Sequence, residues 1–516
     1  MSSRPIDSQR RGFLKSVSLH SLGAAGALYS LDQFGFLGQL PSVSAADSQL
    51  PADAVQFAPE IEPLVRLLED TPREKVVEVF AQKIQSGTSY REVLAALLLA
   101  GVRNVQPRPS VGFKFHAVLV VNSAHLASLA APDSDRWLPI FWALDYFKSS
   151  QARDVNEGNW TMSAVDSSKL PPSHQAKKAF RQAMDSWDVE AADAAVVSLC
   201  RSASAAEVFD LMAHYGCRDY RSIGHKAIYV ANSYRTLQCI GWRYAEPVLR
   251  SLAYAILNHE GDPNPSTSDL PADAAWRVTQ QQLDQVDQNW QRGRLDATAT
   301  SDLLDTLRSA TPEQAVEETV KMISDGIAVQ SVSDALYLSA AEMLAQQPGI
   351  IALHSATTTN AMQFSYRTAF RQRTRRELLL QNAAFIPSFR DSMKSRGKVG
   401  TNRIDAAFVS ADSESTPQVQ TIFDTVSKNR EQAASEMRSY LDNGGKPETL
   451  INTARRLVFL KGNDSHDYKF SSAALEDYYA VSPEFRNAYL ASAAHLLPGT
   501  GDRDNGLVGR IQAALA

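Results

Sequence analysis

The chain has 516 residues, 44% of them hydrophobic and 21% charged, enough apolar side chain for a sizeable core, which excludes disorder of the whole. A net charge of −5 without a basic stripe excludes nucleic acid as a partner. Beyond the N-terminus no run reaches about 18 uninterrupted apolar residues, so the mature form is expected to have no membrane span.

The first motif is Ser8-Gln9-Arg10-Arg11-Gly12-Phe13-Leu14-Lys15, followed by a weakly apolar run from Val17 to Leu31. Paired arginines before Phe-Leu-Lys read as a twin-arginine signal peptide over 1–46, with Val43-Ser44-Ala45-Ala46 as the cleavage region. The alternative is a basic helix or an uncleaved anchor. The signal implies passage through the twin-arginine translocase and a periplasmic or extracellular destination. Because that route carries folded proteins, it favours a chain that takes up a cofactor before export.

Downstream the pattern is helix after helix. Val76, Val79, Phe80 and Ile84 trace an apolar stripe, and Val93 to Ala100 reads as a core helix. Thr71-Pro72-Arg73-Glu74 has the form of a capped helix start, and Thr311-Pro312-Glu313-Gln314 repeats it about 240 residues later. Helix-ending Gly87 is echoed by Gly326, and Trp242 to Leu257 aligns loosely with Glu484 to Leu497. Linkers are expected at Asp154–Ser173, at Glu260–Ala272 and at Ile386–Pro417. The expected architecture is all-α and internally duplicated, with a first helical half over 55–260 and a second over 273–516 packed into one body. Cys200, Cys217 and Cys239 leave open either one disulfide with a free thiol or three buried thiols.

Four of the ten histidines occupy the repeated positions. His116 with Asn122 matches His354 with Asn360 in a shared H-x5-N, and Gly224-His225 is answered by Ser465-His466. A histidine beside an apolar helix usually caps or fills a core, and duplication copies such residues too. A pseudo-two-fold arrangement would nevertheless bring four imidazoles to one axis, where His116, His225, His354 and His466 could bind a metal or haem, or act as acid–base groups. Lys469 follows His466 by one helical turn on the same face and would keep its imidazole neutral. Thr357-Thr358-Thr359 are poor helix formers, so they either line a polar pocket or bond back to the preceding turn. His125, nine residues after His116, falls on another face, and His214, His259 and His495 suggest no partner. GxxxxGK[ST], HExxH, a strand-bound GxGxxG and GxSxG are all missing, which argues against nucleotide-fold dehydrogenases and common serine hydrolases.

Three segments resemble the questin oxidase family in order and spacing: Phe115-His116-Ala117-Val118-Leu119 before the apolar Leu138 to Phe147 helix; Leu353-His354-Ser355-Ala356-Thr357 with Asn360-Ala361; and Asp464-Ser465-His466-Asp467-Tyr468-Lys469 with Tyr489-Leu490-Ala491. The likeness spans most of the mature chain. It implies an all-helical oxidoreductase of Baeyer–Villiger type acting on an aromatic or polyketide-like small molecule, with NADPH and O₂ implicated. It makes His116, His354, His466 and Lys469 candidate catalytic residues and Asn122, Thr357 and Asn360 candidate substrate contacts. The chain departs from the pattern at Val120-Val121 and Gln363, where the family has basic residues. Two other readings stand beside it: an exported metal- or haem-binding protein, and a helical repeat scaffold whose histidines lie far apart.

Overall fold

The computed structural model describes residues 51, 53–107, 115–257, 270–405 and 417–516. The expected twin-arginine segment, most of the second linker and the 406–416 stretch of the third lie outside these. The described residues form twenty-two α-helices, joined by short turns and by two isolated bridges. In chain order they are α1 Glu62–Asp70, α2 Val76–Gln85, α3 Tyr90–Asn104, α4 His116–Leu129, α5 Leu138–Asn156, α6 Ala176–Ser186, α7 Val189–Ser202, α8 Ala205–Gly216, α9 His225–Ile240, α10 Ala245–Leu257 and α11 Pro271–Gln282. There follow α12 Ala297–Leu307, α13 Pro312–Ser324, α14 Val329–Gln346, α15 Ile350–Thr368, α16 Gln372–Lys394, α17 Val419–Val426, α18 Arg430–Asp442, α19 Pro447–Lys461, α20 Ser465–Asp477, α21 Arg486–Ser492 and α22 Leu507–Leu515.

Helices α4, α9, α15 and α20 stand at the centre. Each packs against two of the others in a closed ring, α4 to α9 to α15 to α20 and back to α4. These four are buried nearly all round, which is why their apolar residues show little helical periodicity. Helices α5, α3, α14 and α16 wrap the ring, and one apolar core runs from Ile61 to Ile511. At the chain's end α22 returns to pack on α2, where Arg510 pairs with Glu78.

Local signals resolve as physics allows. Thr311 caps α13 with Gln314 in the reciprocal arrangement expected. Thr71 does not repeat it. Its hydroxyl donates to the Leu67 carbonyl (2.5 Å) and closes α1, so Pro72 precedes a 3₁₀ turn and α2 starts only at Val76. The third linker also begins later than expected, because α16 continues through Ile386 and Pro387 to Lys394. Leu378 to Ile386 and Phe389 are buried there, and that packing outweighs a proline penalty of about 3 kcal/mol. The three cysteines are free thiols, Cys217 buried and the others half-buried.

Under the first half lies a buried ionic knot. Arg103, wholly inaccessible, donates to Glu69 (2.8 Å) and Glu62 (2.7 Å) and lies over the Phe57 ring. Arg103→Met should destabilise the protein by about 3–5 kcal/mol, since it strands the buried Glu69 carboxylate. Thermal denaturation reads the loss directly, and an unchanged midpoint would remove Arg103 from the fold's supports.

Candidate metal centre

The central helices carry the four histidines near their N-terminal ends. His116 and His225 are the first residues of α4 and α9, His466 is the second of α20, and His354 is the fifth of α15. The rings meet. Neighbouring centroids are 4.4–5.3 Å apart around the ring, against 6.5 Å across it between His116 and His354. None is more than 4% exposed.

Three of the four rings are aimed by a bond at Nδ1. His225 Nδ1 donates to the Ser222 carbonyl (2.7 Å) and His354 Nδ1 to the Ile350 carbonyl (2.6 Å), while His466 Nδ1 donates to Asp464 Oδ1 (2.6 Å). A carbonyl can only accept, so Nδ1 of His225 and of His354 carries the hydrogen, and in the neutral rings Nε2 presents a lone pair. Yet His225 Nε2 lies 3.0 Å from His354 Nε2, lone pair facing lone pair, and His116 Nε2 stands 3.1 Å from it on another side. Facing lone pairs at that separation repel unless a cation stands between them. Nitrogens about 2.0–2.1 Å from a shared ion would stand roughly 3 Å apart, which is the spacing found. Candidate donor atoms of His116, His225 and His354 all lie within 4.8 Å of one another, a grouping that does not include His466. The fit is to a small cation. Four rings in mutual contact leave no slot for a porphyrin, so haem does not fit.

The surroundings keep the imidazoles neutral. Burial first, then the Lys469 ammonium, hold His116 and His225 well below the usual imidazole range; burial, His225 and Lys469 do so for His354. Burial also lowers His466, against the pull of Asp464. Lys469 itself is pushed down to about 7 by burial, opposed by Asp464. Its Nζ has no hydrogen-bond partner among the described residues, and Ser355 Oγ, Thr358 Oγ1 and Tyr468 OH share that condition. Beside them Trp142 stacks on Tyr468 (4.3 Å) and on Tyr146 (5.0 Å).

A second polar layer lies further along the same helices. Asn122 donates to Asn232 (3.3 Å), and Asn360 donates to Asp477 (2.7 Å) and Glu476 (3.0 Å) while accepting from Arg235 (3.2 Å). In every case the second-layer residue follows its histidine in sequence, so the four helices run parallel with their N-termini at the imidazole layer. Burial and then the Glu476 charge push the Asp477 carboxyl up to about 7. Asn360 is therefore fully engaged inside the protein. Thr357 bonds back to the Leu353 carbonyl (3.1 Å), the bland alternative for that residue, and Asn122 keeps an oxygen unbonded.

Three features escaped the sequence reading. Asp464, which caps α20 by accepting from the His466 backbone N–H (2.7 Å) as an Asp before a helix does, also orients the His466 ring. Ser222, Ile223 and Gly224 adopt three consecutive positive φ values (57°, 45°, 80°), costly for a β-branched isoleucine, and this turn aims the Ser222 carbonyl at His225. The turn is clamped on both sides. Arg221 pairs with Asp273 (2.5 Å) from α11, Lys226 pairs with Asp219 (2.8 Å), and both cations lie 5.5 Å from the Trp187 ring. Only the glycine before His225 could have hinted at it. Of the remaining histidines, His125 meets the Tyr90 hydroxyl (2.9 Å) and His214 pairs with Glu377 (2.7 Å), whereas His259 lies outside the described residues.

Comparison with family models, with characterised proteins and with solved structures finds no match to this chain.

Gly224 separates the strain of the turn from its packing. A Cβ there would stand 2.1 Å from Thr358 Oγ1, whereas Gly87, also at positive φ, has open space. Gly224→Ala should cost roughly 3 kcal/mol or more from strain plus overpacking, against about 1–2 kcal/mol for Gly87→Ala. Equal melting-point losses in the two variants would show that Thr358 does not press on the turn.

Proposed function

We propose that His116, His225 and His354 hold a redox-active first-row cation, iron or copper, and that the protein is an oxidoreductase acting on a small aromatic molecule. The observation that carries this reading is that the Nε2 lone pairs of His225 and His354 are turned toward each other by bonds at Nδ1, with His116 Nε2 beside them. Neutral imidazoles suit such ions, and hydrogen bonds at the second nitrogen are the usual way a protein orients metal-bound histidines. When bound, the cation would supply one-electron chemistry with dioxygen. The resemblance to questin oxidases supports the oxidative chemistry and the aromatic substrate class; of its implied cofactors, NADPH finds no matching dinucleotide motif in the sequence.

The protein's own groups have distinct parts in this scheme. Three ligands leave an open side, the arrangement of catalytic rather than structural metal sites. His466, oriented by Asp464, closes the cluster beside them. Lys469, an amine near neutrality at pH 7, accepts the proton of a phenolic substrate at Nζ and holds the resulting phenolate by charge. Export in folded form through the twin-arginine route suits a centre filled before the protein leaves the cytoplasm. Opposite members of the ring, His116 with His354 and His225 with His466, are the pairs related by the sequence repeat, which supports duplication of one helical unit as the origin of the centre.

A second reading is favoured by the burial of all four imidazoles: a closed metal site that fastens the two halves without turnover. The experiments separate the two. Protein purified from its exporting host should carry about one equivalent of iron or copper by elemental analysis, one ion for one cluster. His354→Ala should lose it, while His466→Ala should keep the metal and lose oxygen uptake with a hydroxyanthraquinone. Wild type that neither carries nor takes up any first-row metal ends the proposal, and metal without oxygen uptake favours the fastening role.

The Lys469 assignment sets a pH dependence. A depressed pKa makes the neutral amine the form present above about 7, so turnover should fall as pH drops through that value. Lys469→Met should abolish this limb with little loss of metal. A profile with the same acid limb in the variant would assign the titration elsewhere.

A further inference from the structure

Outside the ring, the C-terminal part of α4 stands away from α19 and α20 and leaves a cleft of about 170 Å³. Leu126, Ala127 and Phe459 give it apolar surface, Ser472 a hydroxyl, Tyr479 an aromatic face and Arg455 a positive charge. Arg455 is half-buried, yet it makes no hydrogen bond or ion pair with any other described residue. Its neighbours in the chain and in space do: Arg456 pairs with Asp135 (3.4 Å) and Arg235 with Glu476 (2.9 Å).

Glu476 also lines the cleft but is already committed, since its oxygens accept from Arg235 and from Asn360 (3.0 Å). A guanidinium is always protonated and carries five donors in a planar fork that matches a carboxylate. Here that fork is partly withdrawn from water without a protein acceptor. Tyr479 is 55% exposed, one of few large apolar side chains left so open. A cation with unused donors beside two aromatic rings and a small apolar surface is the composition of a site for a flat organic anion. Size narrows the class. An apolar cavity of about 150 Å³ admits benzene, so this cleft admits one ring and not a fused polycycle.

We propose that the α4–α19–α20 cleft binds a monocyclic aromatic carboxylate, its carboxylate on the Arg455 fork and its ring against Phe459 and Tyr479. The site is separate from the imidazole centre and does not depend on a metal there.

Titration calorimetry of the full chain with 4-hydroxybenzoate tests this. Saturable binding is expected, weakened about tenfold or more by Arg455→Met and by replacing the ligand with neutral benzamide, as the charge-assisted pair is lost. Ser472→Trp, which fills the cleft while leaving Arg455 in place, should abolish binding in a protein of unchanged circular dichroism. His354→Ala should bind as wild type does. The proposal is overturned by an absence of binding at about 10 mM ligand, or by full affinity in Arg455→Met and Ser472→Trp. Loss of binding in a folded His354→Ala protein would overturn it as well, by placing the ligand at the imidazoles.

Discussion

Two imidazole nitrogens that each expose a lone pair, held 3.0 Å apart by bonds behind them, pose an electrostatic problem that the rest of the molecule is arranged to sustain. Neither ring can turn away without giving up its Nδ1 bond to a backbone carbonyl, and neither can readily take a proton, because burial and Lys469 oppose any further positive charge. The parallel run of α4, α9, α15 and α20 adds to this, since four helix N-termini converge on the same level and each carries partial positive charge. The cluster is therefore kept unprotonated by its setting.

The outer structure makes the inner geometry stiff. Around His225 the chain accepts three left-handed residues in succession, and the Arg221–Asp273 and Lys226–Asp219 pairs on either side hold them in place. Asp273 belongs to α11, beyond the linker expected between the halves, so the turn that aims a first-half imidazole is held by the second half. At His466 a single carboxylate does two jobs, capping the first turn of α20 and steering the ring. Such economy explains why capping and positioning are not competing descriptions of Asp464.

Much of the fold was legible. Helix stripes, the Thr311 cap and the helix-ending Gly87 and Gly326 follow from local rules, and the all-α class follows from them. The local reading failed where a competing partner won: Thr71 bonded back to Leu67 and served the helix before it rather than the one after, and Pro387 was carried inside α16 by its buried neighbours. The candidate site was half legible. Repetition at fixed spacing picked out His116, His225, His354 and His466, and a one-turn offset picked out Lys469. Asn122 and Asn360 were marked by the same repeat, but their contacts form a separate polar layer. The Ser222–Gly224 turn and its clamps were not visible, because positive φ in serine and isoleucine has no compositional mark and Asp273 is remote in sequence.

The ring closes through α4 and α20, so His116 meets a residue that follows it by most of the chain's length. Contacts of such long sequence separation are slow to form. The cluster can exist only when synthesis is nearly finished and both ends have docked. Partial chains and half-molecules would lack the chemistry altogether, so an occupied centre would certify that the whole polypeptide had reached its final shape.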